Sequence, residues 1–241
     1  MDLRTLGVVL AGADLLCPER CAACAAIVGA SDLFCHRCLA AVNVLGPPEC
    51  MRCGSPLAYA PACVPCAQSI DPPIRRARAW AEYSPGAADR RPVAWALAAF
   101  KYRGARRLGR RLAAAMLPRV PSEPGAILAP VPLHPRQLRR RGFNQSAILA
   151  HRLGRMLGWP VALRLLVRIR DTPSQTALSA AARTANVIGV FTVPLPAAVR
   201  ERTILLIDDV WTSGATARAA SLALRDAGAH AVDVLTFARV L

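Results

Sequence analysis

The sequence predicts an α/β domain, a parallel sheet with helices on both sides, preceded by a small cysteine-rich module. Two observations support this. All nine cysteines lie between residues 17 and 66, whereas short apolar runs alternate with amphipathic segments in the rest of the chain. Uninterrupted apolar strands are typical of parallel sheets, because helices cover both faces. We place a double zinc-ribbon module at residues 15–70 and the α/β domain at residues 71–241.

The cysteine-rich module contains four C-x-x-C pairs, and two such pairs complete one tetrahedral Cys₄ zinc site. The four pairs can combine in three ways, of which sequential pairing is the simplest. It predicts two structural zinc ions, one held by Cys21, Cys24, Cys35 and Cys38 and the other by Cys50, Cys53, Cys63 and Cys66. Cys17 is spare or competes with Cys21. An iron–sulfur cluster, regulated disulfides and lost sites are the alternatives.

The first elements of the α/β domain follow a linker, SIDPPIRRARAW, in which adjacent prolines interrupt regular structure. We expect a helix over Pro92–Tyr102. A second helix should turn Leu108, Leu112 and Ala115 inward, and its outward residues should be Arg106, Arg107, Arg110 and Arg111.

The middle of the domain begins with a predicted strand at Ile127–Val131. Asn144 should cap the next helix and Gly158 should end it. Its buried stripe is predicted to contain Leu149, Leu153 and Met156, and a strand over Val161–Ile169 should follow.

The last predicted elements are a strand at Thr203–Ile207, a loop at Asp208–Ala215, a helix at Thr216–Ala227 and a strand at Val232–Phe237. Ligands of parallel sheets bind beyond the carboxyl ends of the strands, which is where this loop lies.

Charge is concentrated in the middle of the chain. The net charge is +16, and eighteen basic residues but only one acid, Glu123, lie between Arg90 and Arg170. Such a region attracts phosphates or nucleic acid, although a basic surface also serves solubility alone. Lys101 is the single lysine among 31 basic residues. This indicates a need for an ammonium group there, with chance as the alternative.

No apolar run reaches the roughly 20 residues of a membrane-spanning helix, so membrane insertion is not expected. The run Leu6–Ala13 lacks the preceding basic segment of a signal peptide, since Asp2 offsets Arg4. We therefore expect a cytoplasmic protein.

The stretch ILLIDDVWTSGAT combines two acids with a phosphate cradle. Residues 212–216 offer successive backbone N–H groups at a helix N-terminus, which suits a phosphate. The lysine of a P-loop is absent, which disfavours nucleoside triphosphate hydrolysis. Asp208 and Asp209 would repel a phosphate unless they bind sugar hydroxyls or Mg²⁺. Together these features describe a ribose 5-phosphate site.

This stretch resembles the motif of type I phosphoribosyltransferases that binds 5-phosphoribosyl 1-pyrophosphate (PRPP). The family fold is a parallel sheet with flanking helices and a flexible hood. The resemblance implies that Asp208 and Asp209 take the ribose hydroxyls, with Mg²⁺ accompanying PRPP. It implies a 5′-phosphate loop formed by Thr212, Ser213, Gly214, Ala215 and Thr216.

Several further motifs narrow the resemblance. The cysteine pairs, FKYRGARRLGRRLA, PVPLHPRQLRRRGFNQS and RDTPSQTALSAAARTANV occur in this order before the PRPP motif. This pattern is similar to the ComF family, the competence protein F group linked to DNA uptake, over Cys17–Leu241. It implies a hood over residues 168–186 and a pyrophosphate loop at Pro132-Leu133-His134.

Additional phosphate contacts are expected from Lys101, Tyr102, Arg103 and Arg183. For His134 we favour loop geometry over acid–base chemistry, because no carboxylate partner is visible in the sequence.

Thr212 departs from purine-salvage members of the superfamily, which have an acid at this position. A threonine cannot act as that base at neutral pH, so purine transfer is disfavoured and an orotate-like pattern fits the loop better. Three functions remain open: a phosphoribosyltransferase with an unknown acceptor, a protein that binds single-stranded DNA on its basic face and keeps a regulatory or inherited PRPP site, and a PRPP sensor with a protein partner on the zinc module.

Overall fold

The computed structural model describes residues 18–57, 63–67, 72–84, 92–102, 106–170 and 189–241. Among the sequence predictions, Cys17, Arg103, Arg183 and residues 171–186 of the expected hood lie outside the described residues. Within the described ranges, no helix has the length and apolar character needed to cross a bilayer.

The cysteine-rich module contains two short helices, α1 (His36–Ala40) and α2 (Val64–Ala67). The elements of the α/β domain follow in the order β1 (Arg76–Glu82), α3 (Pro92–Tyr102), α4 (Leu108–Met116), β2 (Ile127–Pro130), α5 (Pro135–Arg141), α6 (Gln145–Leu157), β3 (Val167–Arg168), β4 (Phe191–Thr192), β5 (Thr203–Trp211), α7 (Ala215–Asp226) and β6 (Ala231–Arg239).

The main sheet has four parallel strands in the order β1-β6-β5-β2. Both of its faces are covered. Leu205 and Ile207 of β5 pack in one core with α4 and α6, whereas Ile204 and Leu206 pack in a second core with α7. Successive residues of a strand point to opposite faces, which explains why the buried part of β5 is apolar throughout. The predicted parallel sheet with flanking helices is confirmed.

Helix limits were largely predictable from the capping residues. Helix α3 has the expected bounds. The Asn144 side chain accepts a hydrogen bond from the Ser146 backbone N–H at 3.0 Å, and Gly158 ends α6 in the left-handed conformation. The prediction that Met156 is buried is wrong, since it is 39% exposed. Leu149 and Leu153 are buried as predicted, and the buried face is completed by Ala150 and Gly154 instead of Met156.

The linker prediction is wrong from Arg76 onward, because this segment forms strand β1. Arg76 lies opposite Asp233 of β6 and pairs with it at 3.2 Å, while Arg78 pairs with Glu49 at 2.9 Å. These acids are distant in the sequence, so the alternating arginines resembled a solvated connector.

Two other strand predictions need correction. Strand β5 continues to Trp211, so the two acids lie on the strand rather than in a loop. The strand expected at Val161–Ile169 is reduced to a single bridge between Val161 and Leu128 and to the two residues of β3, which pair antiparallel with β4.

The cysteine-rich module packs directly on the α/β domain. Val44 forms an antiparallel bridge with Ala81 at the outer edge of β1. The ring of Phe34 stacks on Trp80 at 6.3 Å, and Trp80 stacks on Phe237 of β6 at 5.0 Å. The module therefore completes one of the two cores rather than standing apart from the sheet.

Arg111 stabilises the contact between the cysteine-rich module and the α/β domain. The prediction that it points outward is wrong. Its side chain is 5% exposed and pairs with Glu19 at 2.9 Å. It also donates to the backbone carbonyls of Arg20 at 3.0 Å and Asp32 at 2.6 Å. A helical wheel drawn on α4 alone cannot show this, because the acceptors come from the N-terminal module.

Replacing Arg111 with Met is expected to lower the free energy of unfolding by about 2–3 kcal/mol, because the partly exposed Glu19 and two backbone carbonyls lose their donor. Urea unfolding of the zinc-loaded protein measures the change. The matched control is Arg155→Met, at an exposed position of α6. Equal stability of the two variants would contradict the assigned role of Arg111.

Candidate functional site

The eight described cysteines form two clusters. All ligand sulfur atoms of each cluster lie within 4.8 Å of one another, which confirms the sequential pairing. The Sγ atoms of Cys24 and Cys35 are 3.6 Å apart, and those of Cys53 and Cys63 are 3.5 Å apart. Tetrahedral zinc with bonds of about 2.3 Å places its sulfur ligands about 3.8 Å apart. Both clusters therefore fit a structural zinc ion.

The first cysteine of each cluster is prepared for a metal in the same way. Burial alone would raise the pKa of Cys21 and Cys50, but hydrogen bonds from backbone N–H groups of the turns outweigh it and lower each pKa to about 6. Metals bind the thiolate form, so these turns favour metal binding before any ion arrives.

Asp208 and Asp209 lie on β5 beyond its buried run. The Asp208 carboxylate accepts hydrogen bonds at 2.9 Å from the Ser146 hydroxyl and from the Asp209 backbone N–H. Burial, and secondly the negative charge of Asp209, raise the pKa of Asp208 to about 7. The pair therefore carries less than two full negative charges at neutral pH.

Asp209 has a cationic partner. The Lys101 ammonium, in the last turn of α3, lies 2.5 Å from the Asp209 carboxylate, and the two side chains are 21% and 13% exposed. Burial favours the neutral amine, but the charge of Asp209 outweighs it and raises the pKa of Lys101. The donor set thus does not fit a resident Mg²⁺, because an ammonium already neutralises Asp209 and Asp208 already accepts two hydrogen bonds. Mg²⁺ would have to arrive with an anionic ligand.

A cavity of about 240 Å³ opens beside the acids. Its walls come from the segment after β2, from α5 and α6, and from the ends of β3 and β5. Pro132 and Leu133 form one wall, and the lining also includes Tyr102, Arg140, Arg141, Gln145, Ser146, Arg168, Asp208, Asp209 and Thr216. The combination of arginines with two acids suits a ligand that carries both phosphate and hydroxyl groups.

A smaller hollow of about 70 Å³ shares Asp208 and Thr216 with this cavity, and Thr212 and Gly214 also line it. Gly214 caps α7 with a φ of 73°, a left-handed conformation that favours glycine. A Cβ at this position would overlap the Trp211 ring. The hollow therefore brings backbone and the helix N-terminus close to any anion that enters it.

The structure brings most of the predicted site residues together. Ser213 accepts a hydrogen bond from the Ala215 N–H at 3.4 Å, and Ala215 is buried. The His134 ring caps α5 by accepting from the Arg136 N–H at 3.3 Å, in line with the expected role in loop geometry. Tyr102 lies at the cavity mouth, whereas Lys101 contacts an acid rather than open solvent.

Sequence reasoning missed three residues that shape the site. Ser146 orients Asp208, and the Arg218 side chain donates at 2.6 Å to the Ser213 carbonyl. Gln145 is 2% exposed and accepts from Arg141 at 3.0 Å. A hydroxyl in the first turn of α6, next to the Asn144 cap, was the available signal for Ser146; Gln145 and Arg218 carried none.

The raised pKa of Asp208 predicts a stability gain on its removal. The folded state keeps the proton to higher pH than the unfolded state does, so this group lowers stability as pH rises from about 4 to about 7, and the loss persists above. Asp208→Asn should raise the free energy of unfolding by about 2 kcal/mol at pH 8. The gain should shrink as pH falls to about 5.

Urea unfolding of zinc-loaded protein at both pH values measures this difference. Asp226→Asn, at an exposed position of α7, should change stability equally little at both. A loss of stability for Asp208→Asn at pH 8 would show that the charge is well solvated.

Comparison with known proteins finds a family match for the cysteine-rich module and relatives that extend over most of the chain. Residues 12–67 match the double zinc ribbon domain family. The chain is 32% identical to DNA utilization protein YhgH of Salmonella typhimurium over 203 residues, which cover 80% of this chain and 84% of that protein.

Two further relatives align with this chain over a shorter range. YhgH of Escherichia coli K12 is 42% identical over 46% of this chain and 48% of its own length. Competence protein F of Haemophilus influenzae is 35% identical over 48% of this chain and 51% of its own length. These alignments thus span about half of those two relatives.

Among solved structures, the glutamine PRPP amidotransferase of B. subtilis, complexed with ADP and GMP, has a TM-score of 0.35 and 23% identity. It covers 54% of this chain, which corresponds to 25% of that enzyme.

Proposed function

The chain belongs to the ComF family, which includes competence protein F and DNA utilization protein YhgH, and we propose that it binds PRPP as a cytoplasmic protein of DNA uptake and utilization. The names of its relatives support the link to DNA. The grouping of cysteine sulfurs in two sets of four suits metal binding rather than disulfides, which is in keeping with a reducing compartment.

The observation that carries PRPP binding is the position of the acids between two anion-binding features. Asp208 lines both the arginine-rich cavity and the hollow at the N-terminus of α7. Asp209 lines the cavity beside it. A ligand with an anion at each end and hydroxyls in the middle matches this order, and PRPP has this form.

In the proposed complex, the 5′-phosphate lies in the hollow against residues 212–216. The ribose hydroxyls donate to Asp208 and Asp209. The diphosphate, which brings Mg²⁺, lies in the cavity against Pro132-Leu133 and the side chains of Arg140 and Arg141. Fixed positive charge around the diphosphate would stabilise it as a leaving group when an acceptor attacks the ribose.

Calorimetry with Mg·PRPP tests binding, and release of labelled pyrophosphate, with a panel of bases and single-stranded DNA as acceptors, tests transfer. Turnover with one acceptor would establish a transferase. Tight binding without turnover would favour the sensor, with the zinc module as the contact for a protein partner. Absence of Mg·PRPP binding would contradict the proposal.

Single-stranded DNA is the second candidate ligand. The observation that favours it is the exposure of Tyr102 beside arginine side chains. Its ring is 71% exposed, and the Arg141 guanidinium lies 5.3 Å from its centroid. Arg106 lies over the nearby Phe143 ring at 4.7 Å. An exposed ring among arginines, with the partly buried Phe143 beside it, resembles the stacking surfaces that bind single strands.

Replacing Tyr102 with Ala should weaken oligonucleotide binding by about 1–3 kcal/mol if a base stacks there. Fluorescence anisotropy at several salt concentrations measures it, and the wild-type affinity should fall steeply with salt. Tyr83→Ala, a partly buried tyrosine outside the cavity wall, is the control. Salt-independent binding, or equal loss in both variants, would exclude this surface.

A further inference from the structure

The acids at the end of β5 are contacted by the ammonium group of a lysine. The Lys101 ammonium contacts the Asp209 carboxylate at 2.5 Å, and both groups are largely shielded from solvent. Helix α3 packs through Phe100 and Leu97 into the core, so its last turn holds Lys101 over the acids. The contact is therefore made by a residue of a helix that is packed on the core, and not by a mobile surface side chain.

The surrounding charges make the same place unfavourable for a free metal ion. The Asp208 carboxylate already accepts from Ser146 and from a backbone N–H, and the Asp209 carboxylate is already paired with Lys101. Arg140, Arg141 and Arg168 line the adjoining cavity. A divalent cation without an anion would therefore meet an ammonium and several guanidinium groups.

We propose that Lys101 serves as the resident cation of the acidic pair: it excludes free divalent metal from Asp209, and it moves to the diphosphate when Mg·PRPP binds. The exclusion of metal depends only on the contacts described, whereas the movement rests on the proposed PRPP function. A lysine suits this role because its flexible stem carries a compact charge that can change partners.

The exclusion of metal is tested by titrating zinc-loaded protein with Mn²⁺, without PRPP, and following free Mn²⁺ by electron paramagnetic resonance. K101M should gain one Mn²⁺ site at least roughly tenfold tighter than any in the wild type. K101R retains a positive charge and should gain none. The double variant K101M/D209N should lose the new site. Equal Mn²⁺ binding by wild type, K101R and K101M would overturn the proposal.

The movement is tested by the single lysine, which gives one Nζ resonance in protein labelled with ¹⁵N-lysine. D209N should shift this resonance in the free protein. Mg·PRPP should shift the wild-type resonance, and Mn·PRPP in place of Mg·PRPP should broaden it, which would place the metal-bound diphosphate near Nζ. If calorimetry shows PRPP binding while the Nζ resonance stays unchanged, Lys101 does not change partners. If PRPP does not bind, the proposed function fails while the metal test still stands.

Discussion

Changing both Asp208 and Asp209 to Asn is expected to lower the affinity for Mg·PRPP about a hundredfold or more, because two charge-assisted hydrogen bonds to the ribose are each worth about 1.5–3 kcal/mol. The same double variant should bind inorganic pyrophosphate as tightly as the wild type, or more tightly. Pyrophosphate has no hydroxyls for the acids to bind, and the substitutions remove negative charge beside it.

This opposite response distinguishes a ribose site from a general anion site. Calorimetry with both ligands, at one fixed salt concentration and in zinc-loaded protein, gives the two affinities. Asp226→Asn, at an exposed position of α7, removes one negative charge away from the cavity and should leave both affinities unchanged. A double variant that binds PRPP as tightly as the wild type, or both ligands more tightly, would contradict the assigned roles of the acids.

The acidic pair also illustrates a conflict between stability and binding. A carboxylate buried to the extent of Asp208 lowers stability, since its pKa is raised to about 7. Ser146 and the Asp209 N–H hold it in one orientation. Asn could accept the same hydrogen bonds without the cost of burying a charge, so an Asp at this position suits a ligand that needs the charge.

Local pattern predicted the parts of the fold that depend on neighbouring residues. The apolar run of β5, the Asn144 cap and the spacing of the cysteines each act within a few residues or one turn, and the structure agrees with them. The linker prediction failed at Arg76 because its partner, Asp233, lies 157 residues away in sequence.

The same limit applies to the site. The motif located the two acids and the loop at residues 212–216, but the contacts that set their charge are long-range. Lys101 reaches Asp209 from α3, and Arg111 faces acceptors in the N-terminal module. Arg111 resembles its exposed neighbours in the sequence, and Lys101 stands out only as the single lysine, so only the packed structure assigns them partners.

The contacts of Arg239 are the hardest of these to predict from the sequence. They link the second zinc cluster to the phosphate loop, across more than 180 residues of sequence. Its guanidinium donates to the Cys53 carbonyl and, at 3.0 Å, to the Ser55 hydroxyl. The same group lies 5.7 Å from the centroid of the Trp211 ring, which packs against Gly214. The zinc turn thus supports, through two side chains, the backbone that would receive the 5′-phosphate.

Loss of the second zinc ion is therefore expected to weaken Mg·PRPP binding about tenfold, in addition to lowering the free energy of unfolding by about 3 kcal/mol or more, because structural zinc supplies folding free energy to its module. Cys53→Ser tests this, and Cys24→Ser is its matched control, since each removes the second cysteine of a turn. Cys24→Ser should cost similar stability and leave affinity nearly unchanged, because the first cluster contacts α4 and Trp80 rather than the phosphate loop.

Arg239→Met separates support of the loop from metal loss. It should retain two zinc ions per chain by elemental analysis while binding Mg·PRPP about as weakly as Cys53→Ser does, since the zinc turn then no longer contacts Trp211. Equal affinity losses in Cys24→Ser and Cys53→Ser, with none in Arg239→Met, would mean that zinc acts on the site only through global stability. A loss of Mg·PRPP affinity confined to Cys53→Ser and Arg239→Met would show that the second zinc ribbon supports the conformation of the phosphate loop.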